Sequence, residues 1–315
     1  MCKAYEVLTS TKDLTRDEWL AFRRMGIGGS DAAAIVGLNP WSSAMTVFAD
    51  KMGVLPEKEA TEAMRLGTDL EAYVAERFCE ATGKKVRREN NILRSVEHPF
   101  MFANVDRMII GEKAGLECKT TSPWNGADWE SGVVPATYYC QMSHYMAVTG
   151  YSKFYLAVLV FGKGFYHYEV ERNEEDIEAL IKAEEQFWEC VQNKTAPDPD
   201  GSAASAAVLQ QLYKGDKGGE VELQGFGEDL QRYAEIEQMM KHLEAEKSAI
   251  TQRVQAQMGD AHVGHADGWL ATWRPVKSKR LDTKRIKAEA PDLYERYAKE
   301  SISRRFALKQ TKEAM

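Results

Sequence analysis

The chain has 315 residues, with 41 Lys and Arg against 48 Asp and Glu and a net charge of -7. This length is sufficient for one large domain or two smaller ones, each with a full core. No apolar run approaches the roughly 20 residues that a membrane span needs, and the first residues lack the apolar core of a signal peptide. We therefore expect a cytoplasmic protein with no membrane partner. The acidic balance does not exclude a nucleic-acid partner, because a local basic patch is sufficient to bind phosphate.

The 5 cysteines are far apart in the sequence and form no CxxC pair. An odd and scattered set argues against a disulfide framework, a zinc site or a cysteine-ligated iron–sulfur cluster. We expect reduced thiols with structural roles.

The first predicted helix begins at a capping box that starts at Thr15. It ends at a glycine-rich turn over residues 26–31, where Ser30 or Asp31 can cap the next helix. A helix N-terminus beside a serine hydroxyl and Arg24 can bind an anion. A plain connection between two helices is equally compatible with this pattern.

Helices and strands follow along the rest of the first two hundred residues. Helical periodicity covers 42–51, 60–82, 135–148 and 173–192, and strand patterns cover 92–93, 100–110, 115–120, 154–161 and 165–170. This order predicts an α/β or α+β fold in which helices flank a mixed, mostly antiparallel sheet.

Residues 195–203 are rich in turn-forming residues and form the clearest linker. We therefore predict one domain over 1–194 and a C-terminal helical and β extension over 204–315. The extension contains a long charged helix over 228–258, compatible with an αα-hairpin or a short coiled coil. A small α/β unit follows, with strands at 268–276 and 303–309.

The most informative chemical pattern is an acidic hairpin. Asp106 precedes a predicted turn over 111–115, and the next strand carries Glu117 and Lys119 with an apolar residue between them. Because strand side chains alternate, Glu117 and Lys119 share one face. Carboxylates suit a hard ion such as Mg²⁺, which can hold a phosphodiester and activate water, while lysine positions or deprotonates that water. The pattern indicates phosphodiester hydrolysis, and a solvated charged hairpin is the alternative.

With these motifs placed, residues 10–195 resemble the YqaJ-like viral recombinase family, relatives of lambda exonuclease in the PD-(D/E)xK nuclease superfamily. The most specific segment reads RMGIGGSDAAAIVGLNPW over 24–41 and is similar to the opening signature of that family. The resemblance implies a restriction-endonuclease-like PD-(D/E)xK core. An arginine and a serine of this segment hold the 5′-phosphate of a DNA end in the family, which implies Arg24 and Ser30, with Asp31 as the alternative to Ser30.

The same resemblance implies roles for the acidic residues. The sequence around Glu71 is similar to the family helix that contributes a third acidic metal ligand. Asp106, Glu117 and Lys119 match the Asp and Glu-x-Lys core of the superfamily. The backbone carbonyl of Cys118 is expected as a further metal ligand.

A second helix of the family carries a Tyr-x-x-Gln motif beside the metals. This chain has the motif at Tyr138 and Gln141, which implies that both position the phosphate or the attacking water. Core packing for the tyrosine and a surface position for the amide are the alternatives.

The resemblance implies a 5′→3′ exonuclease for double-stranded DNA, which resects duplex ends to 3′ single strands for an annealing protein in phage-type recombination. Two Mg²⁺ ions, with Mn²⁺ as an alternative, would be held by the acidic residues. Family members form rings around DNA, so a homo-oligomeric ring, most simply a trimer, is expected, in a bacterial host and encoded by a phage or prophage. The alternatives are a structure-selective or restriction-type endonuclease on the same core, and a non-enzymatic recombination or scaffold protein.

Overall fold

The computed structural model describes residues 3–56, 59–124, 129–215, 218–300 and 304–309. The chain divides into two compact units, unit 1 with Met1–Lys214 and Arg304–Met315, and unit 2 with Gly215–Ser303. Within the described ranges, no helix is both long and apolar enough to cross a membrane.

The described part of unit 1 contains strands and helices in alternating groups. Its strands are β1 (Tyr5–Ser10), β2 (Ile27–Gly28), β3 (Val86–Arg88), β4 (Asn91–Ser95), β5 (Met101–Ala103), β6 (Arg107–Ile109), β7 (Ala114–Thr121), β8 (Lys153–Val160) and β9 (Gly164–Glu171). Its helices are α1 (Arg16–Arg24), α2 (Gly29–Ile35), α3 (Ala44–Lys51), α4 (Glu62–Thr82), α5 (Ala136–Thr149), α6 (Glu174–Gln192) and α7 (Ala203–Leu212).

A five-stranded sheet carries the acidic hairpin. Its strand order is β3-β6-β7-β8-β9, in which β7 and β8 are parallel and the other pairs antiparallel. A parallel pair requires a crossover, and α5 provides it. Phe78 of α4 packs against Leu116 on one face, and Met142 of α5 packs against Leu156 on the other. The predicted α/β fold, with a mixed sheet between helices, is confirmed.

A second sheet has four strands in the order β1-β4-β5-β2. The single strand predicted over 100–110 is two strands, because β5 pairs in this sheet and β6 in the five-stranded one. Asn104 and Asp106 are poor strand formers and lie where the chain leaves one sheet for the other. Asp106 is therefore in a connection and free to turn toward β7.

The glycine-rich turn over residues 26–31 lies at the junction of α1 and α2, and both helices begin with a defined cap. The capping box at Thr15 is confirmed, since its side chain accepts the Glu18 N–H while the Glu18 carboxylate accepts the Thr15 N–H. Helix α2 begins at Gly29, earlier than predicted, because the Asp31 carboxylate reaches back to the Gly28 N–H at 3.1 Å. Ser30 and Asp31 are therefore inside the first turn of α2 rather than its N-cap.

The boundary between the units lies later than the predicted one at 194–204. Helix α7 packs Val208 against Met45 and Ala49 of α3, and this apolar contact keeps α7 in unit 1. The described C-terminal unit therefore begins at residue 215 rather than 204.

Unit 2 contains a long helix, a β-hairpin and two short helices. They are α8 (Gly227–Met258), β10 (Val263–Ala266), β11 (Trp269–Thr272), α9 (Thr283–Glu289) and α10 (Pro291–Tyr297). The predicted long helix is confirmed as α8. The strand predicted over 268–276 is shorter and pairs with β10, which the sequence pattern had not indicated. The predicted strand at 303–309 is wrong for residues 304–309, which form neither helix nor strand.

Candidate active site

Glu117 is the central side chain of a polar cluster between β7 and α5. Its Oε1 accepts hydrogen bonds from Lys119 Nζ at 2.5 Å and from Gln141 Nε2 at 2.7 Å. Lys119 shares the face because it is two residues along the strand, and Gln141 arrives on the crossover helix. Glu117 Oε2 is buried and finds no hydrogen-bond partner among the described residues. A buried, unpaired carboxylate oxygen is unfavourable on its own, so this atom is suited to a cation.

Asp106 joins the cluster from the connection before β6. Its Oδ2 accepts the Cys118 N–H at 2.8 Å, which ties the connection to β7. Burial, and then the charge of Glu117, raise the pKa of Asp106 well above its ordinary value, although Lys119 opposes the shift. Two carboxylates this close are stable as anions only with additional positive charge nearby.

Lys119 is a charged group in this cluster. Burial lowers the pKa of an amine, but the charges of Glu117 and Asp106 outweigh it and raise the pKa of Lys119. Its Nζ lies 5.6 Å from the centroid of the Tyr138 ring, and Tyr138 stacks on Trp129. Tyr138 thus contacts the ammonium through its ring face, and its part in substrate binding stays a prediction.

Glu71, the expected third acidic ligand, is paired with an arginine that the sequence patterns had not indicated. It lies in the middle of α4, and its Oε1 accepts a hydrogen bond from Arg107 Nη1. The same nitrogen donates to the backbone oxygen of Asp106 at 2.8 Å. Across the described ranges, no three His, Cys, Asp or Glu side chains form a ready-made metal cage. Glu71 therefore reaches the cluster through Arg107 rather than by contact with the other carboxylates.

The donor atoms nevertheless fit a hard divalent ion. They are carboxylate oxygens, one of them the orphaned Oε2 of Glu117, and such oxygens suit Mg²⁺ or Mn²⁺. Cys118 contributes its backbone N–H to Asp106. The metal-binding roles of Glu71, Asp106, Glu117 and the Cys118 carbonyl stay predictions.

A cavity of about 110 Å³ lies beside the cluster. It is lined by Trp19, Arg23, Gly28, Gly29, Ser30, Ile92, Phe102, Asn104 and Tyr145. The Tyr145 hydroxyl donates to the Asn104 oxygen and accepts from Gln141 Nε2, each at 2.9 Å. Gln141 contacts Glu117, so two hydrogen bonds connect the cavity wall to the acidic cluster.

The structure brings Arg23 rather than Arg24 to Ser30. Arg23 Nη2 donates to Ser30 Oγ at 3.0 Å, and its guanidinium lies 5.5 Å from the ring centroid of Trp19. The Arg24 guanidinium lies beside Gly53 instead, and its Nε is buried without a partner in the described part of the chain. Successive helix residues point about 100° apart, so only one of the two faces the cavity. The structure thus pairs Ser30 with Arg23, and the predicted phosphate-binding role of Arg24 and Ser30 stays a prediction.

Asp31 is a support for Arg23 and not a free ligand. Its buried carboxylate accepts from Lys51 Nζ and from Arg23 Nη2, both at 2.7 Å. Lys51 also donates to the Arg23 carbonyl at 2.8 Å. Burial would raise the pKa of Asp31, but Lys51 and Arg23 outweigh it and lower the pKa to about 2. The exposed hydroxyl of Ser30 is therefore the better partner for an anion, which the charge of Asp31 would repel.

A family profile and a relative that covers nearly the whole chain indicate the same family. The sequence profile of the YqaJ-like viral recombinase domain matches residues 18–152, a span that includes the cavity and the acidic cluster. The chain belongs to the YqaJ-like viral recombinase family. It is 42% identical over 314 residues to the protein YqaJ of Bacillus subtilis (strain 168), across 98% of both chains.

Solved structures resemble the chain over part of its length. One is an alkaline exonuclease (LHK-Exo) from Laribacter hongkongensis, 19% identical with a TM-score of 0.49, over 56% of this chain and 93% of that one. Another is a phage related exonuclease from Haemophilus somnus, 12% identical with a TM-score of 0.43, over 56% of this chain and 99% of that one.

Proposed function

We propose that this chain is a Mg²⁺-dependent deoxyribonuclease, and specifically a 5′→3′ exonuclease that resects duplex DNA ends. The observation that carries the proposal is the environment of Glu117. Its Oε1 accepts hydrogen bonds from Lys119 and Gln141. Its Oε2 is buried and has no hydrogen-bond partner among the described residues, which suits a cation. Membership of a viral recombinase family supports a role in DNA recombination.

The chemistry divides between the ion and the side chains. Bound Mg²⁺ would supply Lewis acidity toward the phosphodiester and a lowered pKa for the attacking water. Asp106, Glu117 and Glu71 would hold it. Lys119 bonds the Glu117 carboxylate, so it would position the attacking water or deprotonate it and stabilise negative charge on the phosphate. Gln141 orients the Glu117 carboxylate through its amide.

The Arg23 cavity supports attack from a 5′ end. A terminal phosphate offers more charge and more free oxygens than an internal phosphodiester, which favours an arginine and a hydroxyl as partners. With a 5′-phosphate at Arg23 and Ser30, the next phosphodiester would lie toward Gln141 and Glu117. Repeated cutting in this register leaves a 3′ single strand as the substrate for an annealing protein.

Digestion of four DNA substrates tests the requirement for Mg²⁺, the requirement for a duplex end and the polarity of digestion together. They are 5′-phosphorylated linear duplex, dephosphorylated linear duplex, nicked circles and covalently closed circles, each with and without Mg²⁺. We expect Mg²⁺-dependent degradation of linear duplex, fastest with the phosphate, and intact closed circles. Cleavage of closed circles would instead support an endonuclease, and no Mg²⁺-dependent cleavage of any substrate would refute the nuclease.

The Lys119→Ala variant tests the site itself. It should bind linear duplex and lose about 100-fold or more in cleavage rate, because it removes a charge aimed at the reacting phosphate. Lys163→Ala is the matched control, since Lys163 is exposed in the turn between β8 and β9. Degradation by Lys119→Ala at the rate of the control would contradict the assignment.

A further inference from the structure

Arg107 is a buried cation that contacts two of the residues proposed to hold the metal. Its side chain is only 8% exposed. Nη1 donates to Glu71 Oε1 and also to the Asp106 carbonyl at 2.8 Å. Arg107 thereby connects the middle of α4 to the start of β6.

We infer that Arg107 is a positioning residue for the metal ligands, holding the Glu71 carboxylate beside the Asp106 segment so that both can reach one divalent ion. The inference rests on the proposed metal-dependent function. It goes further by assigning the placement of Glu71 to a residue outside the Asp and Glu-x-Lys pattern.

The hydrogen bonds of Arg107 restrain both ligands and leave donor atoms for a cation. Arg107 bonds Oε1 of Glu71, whose side chain is 22% exposed, and this leaves Oε2 for an ion. At Asp106, Arg107 bonds the backbone oxygen, so the Asp106 carboxylate stays available to a cation. Partners of this kind fix the rotamer and basicity of metal-binding carboxylates.

Charge and packing favour an arginine at this position. Three carboxylates, Glu71, Asp106 and Glu117, share the region with Arg107 and Lys119. Arginine stays charged even when buried, and one of its nitrogens, Nη1, donates to both acceptors here. Helix α4 is itself anchored to the sheet, because Phe78 packs against Leu116. On this anchored helix, the bond from Arg107 orients the Glu71 side chain.

An ion pair that served only to join α4 to β6 would raise stability without changing metal affinity. The affinity of the full-length protein for Mg²⁺ alone, measured by titration calorimetry without DNA, separates the two roles. Arg107→Met should weaken Mg²⁺ binding by about 10- to 100-fold. Arg107→Lys keeps a charge that can bond both acceptors, so it should fold and recover part of the affinity.

Two controls make the result specific. Arg172→Met removes another arginine that bonds a glutamate and a backbone carbonyl, Glu174 at 2.9 Å and the Met146 oxygen at 2.6 Å, and should leave Mg²⁺ affinity unchanged. In a Glu71→Gln background, Arg107→Met should cause a smaller further loss, because the ion pair with Glu71 is already absent and mainly the contact with the Asp106 carbonyl is then removed.

Failure of the positioning role of Arg107 and failure of the proposed nuclease function would give different results. Wild-type affinity in both Arg107 variants would overturn the inference even if their melting temperatures fell, and so would a further large loss in the Glu71→Gln background. A wild-type protein that neither binds Mg²⁺ nor cleaves DNA with it would overturn the proposed function instead.

Discussion

Arg23 and Arg24 are neighbours in the chain with different surroundings. Arg23 is held by Asp31 and directed at the Ser30 hydroxyl, whereas Arg24 packs beside Gly53. Asp31 in turn depends on Lys51, whose side chain is completely buried. A rigid, charge-supported guanidinium loses little freedom when it binds a phosphate, which favours a terminal 5′-phosphate over an unmodified end.

This difference predicts a selective effect of Arg23→Ala. The variant should lose the preference for 5′-phosphorylated over dephosphorylated linear duplex by about tenfold or more, because it removes a charge-assisted hydrogen bond. The ratio of initial digestion rates on the two substrates measures the preference. Arg24→Ala is the matched control and should retain the wild-type ratio. If Arg24→Ala abolished the preference and Arg23→Ala did not, the proposed phosphate-binding role of Arg23 would be wrong and that of Arg24 supported.

Among the elements, α5 connects the acidic cluster to the cavity, with Gln141 and Tyr145 on its buried side. A buried pair anchors it, because His144 Nδ1 lies 2.8 Å from Glu184 Oε1 of α6 and His144 Nε2 lies 2.8 Å from the Phe102 oxygen of β5. Both ring nitrogens face acceptors, which favours the doubly protonated imidazolium. Burial lowers the pKa of His144, but Glu184 and the Phe102 carbonyl outweigh it and raise the pKa.

The raised pKa of His144 predicts how stability depends on pH. Its contribution is fully present below the ordinary value of 6.5 and is lost as the pH rises through the higher folded-state pKa. Glu184→Gln should lower the free energy of unfolding by about 3–5 kcal/mol near pH 6, because it leaves a buried charge without its partner. Denaturant unfolding of the wild type and of Glu184→Gln should show that the difference in their free energies of unfolding decreases as the pH rises. A difference that does not change with pH would exclude a charged pair between His144 and Glu184.

For the whole molecule, the proposed function requires a chain with a net charge of -7 to bind DNA, which is itself acidic. A closed ring of three subunits would solve this, with basic residues on the inner surface near the DNA and the acidic surface toward solvent. We expect a trimer mass by analytical ultracentrifugation at micromolar concentration, together with processive digestion of long linear duplex. A monomer mass with distributive cutting would contradict the ring.

The parts of the site that were predictable are local ones. Glu117 and Lys119 share a face because strand side chains alternate, and the Thr15 capping box needs only residues within one helical turn. The resemblance to the family added Gln141, which the structure brings to Glu117. No pattern indicated Tyr145 or Arg107, although a charged residue beside Asp106 in a short apolar strand was a usable signal.

Most helices, most strands, the mixed sheet and the common face of the Glu-x-Lys strand were predictable from propensity and periodicity within a few residues, whereas helix α7 was not predicted. The orientation of Arg23 toward the cavity follows from packing, because the support of Asp31 comes from Lys51, 20 residues further along the chain. Packing likewise pairs Arg107 with Glu71 across 36 residues. Such pairs follow from how helices pack on a sheet, and packing brings together groups that no local pattern relates.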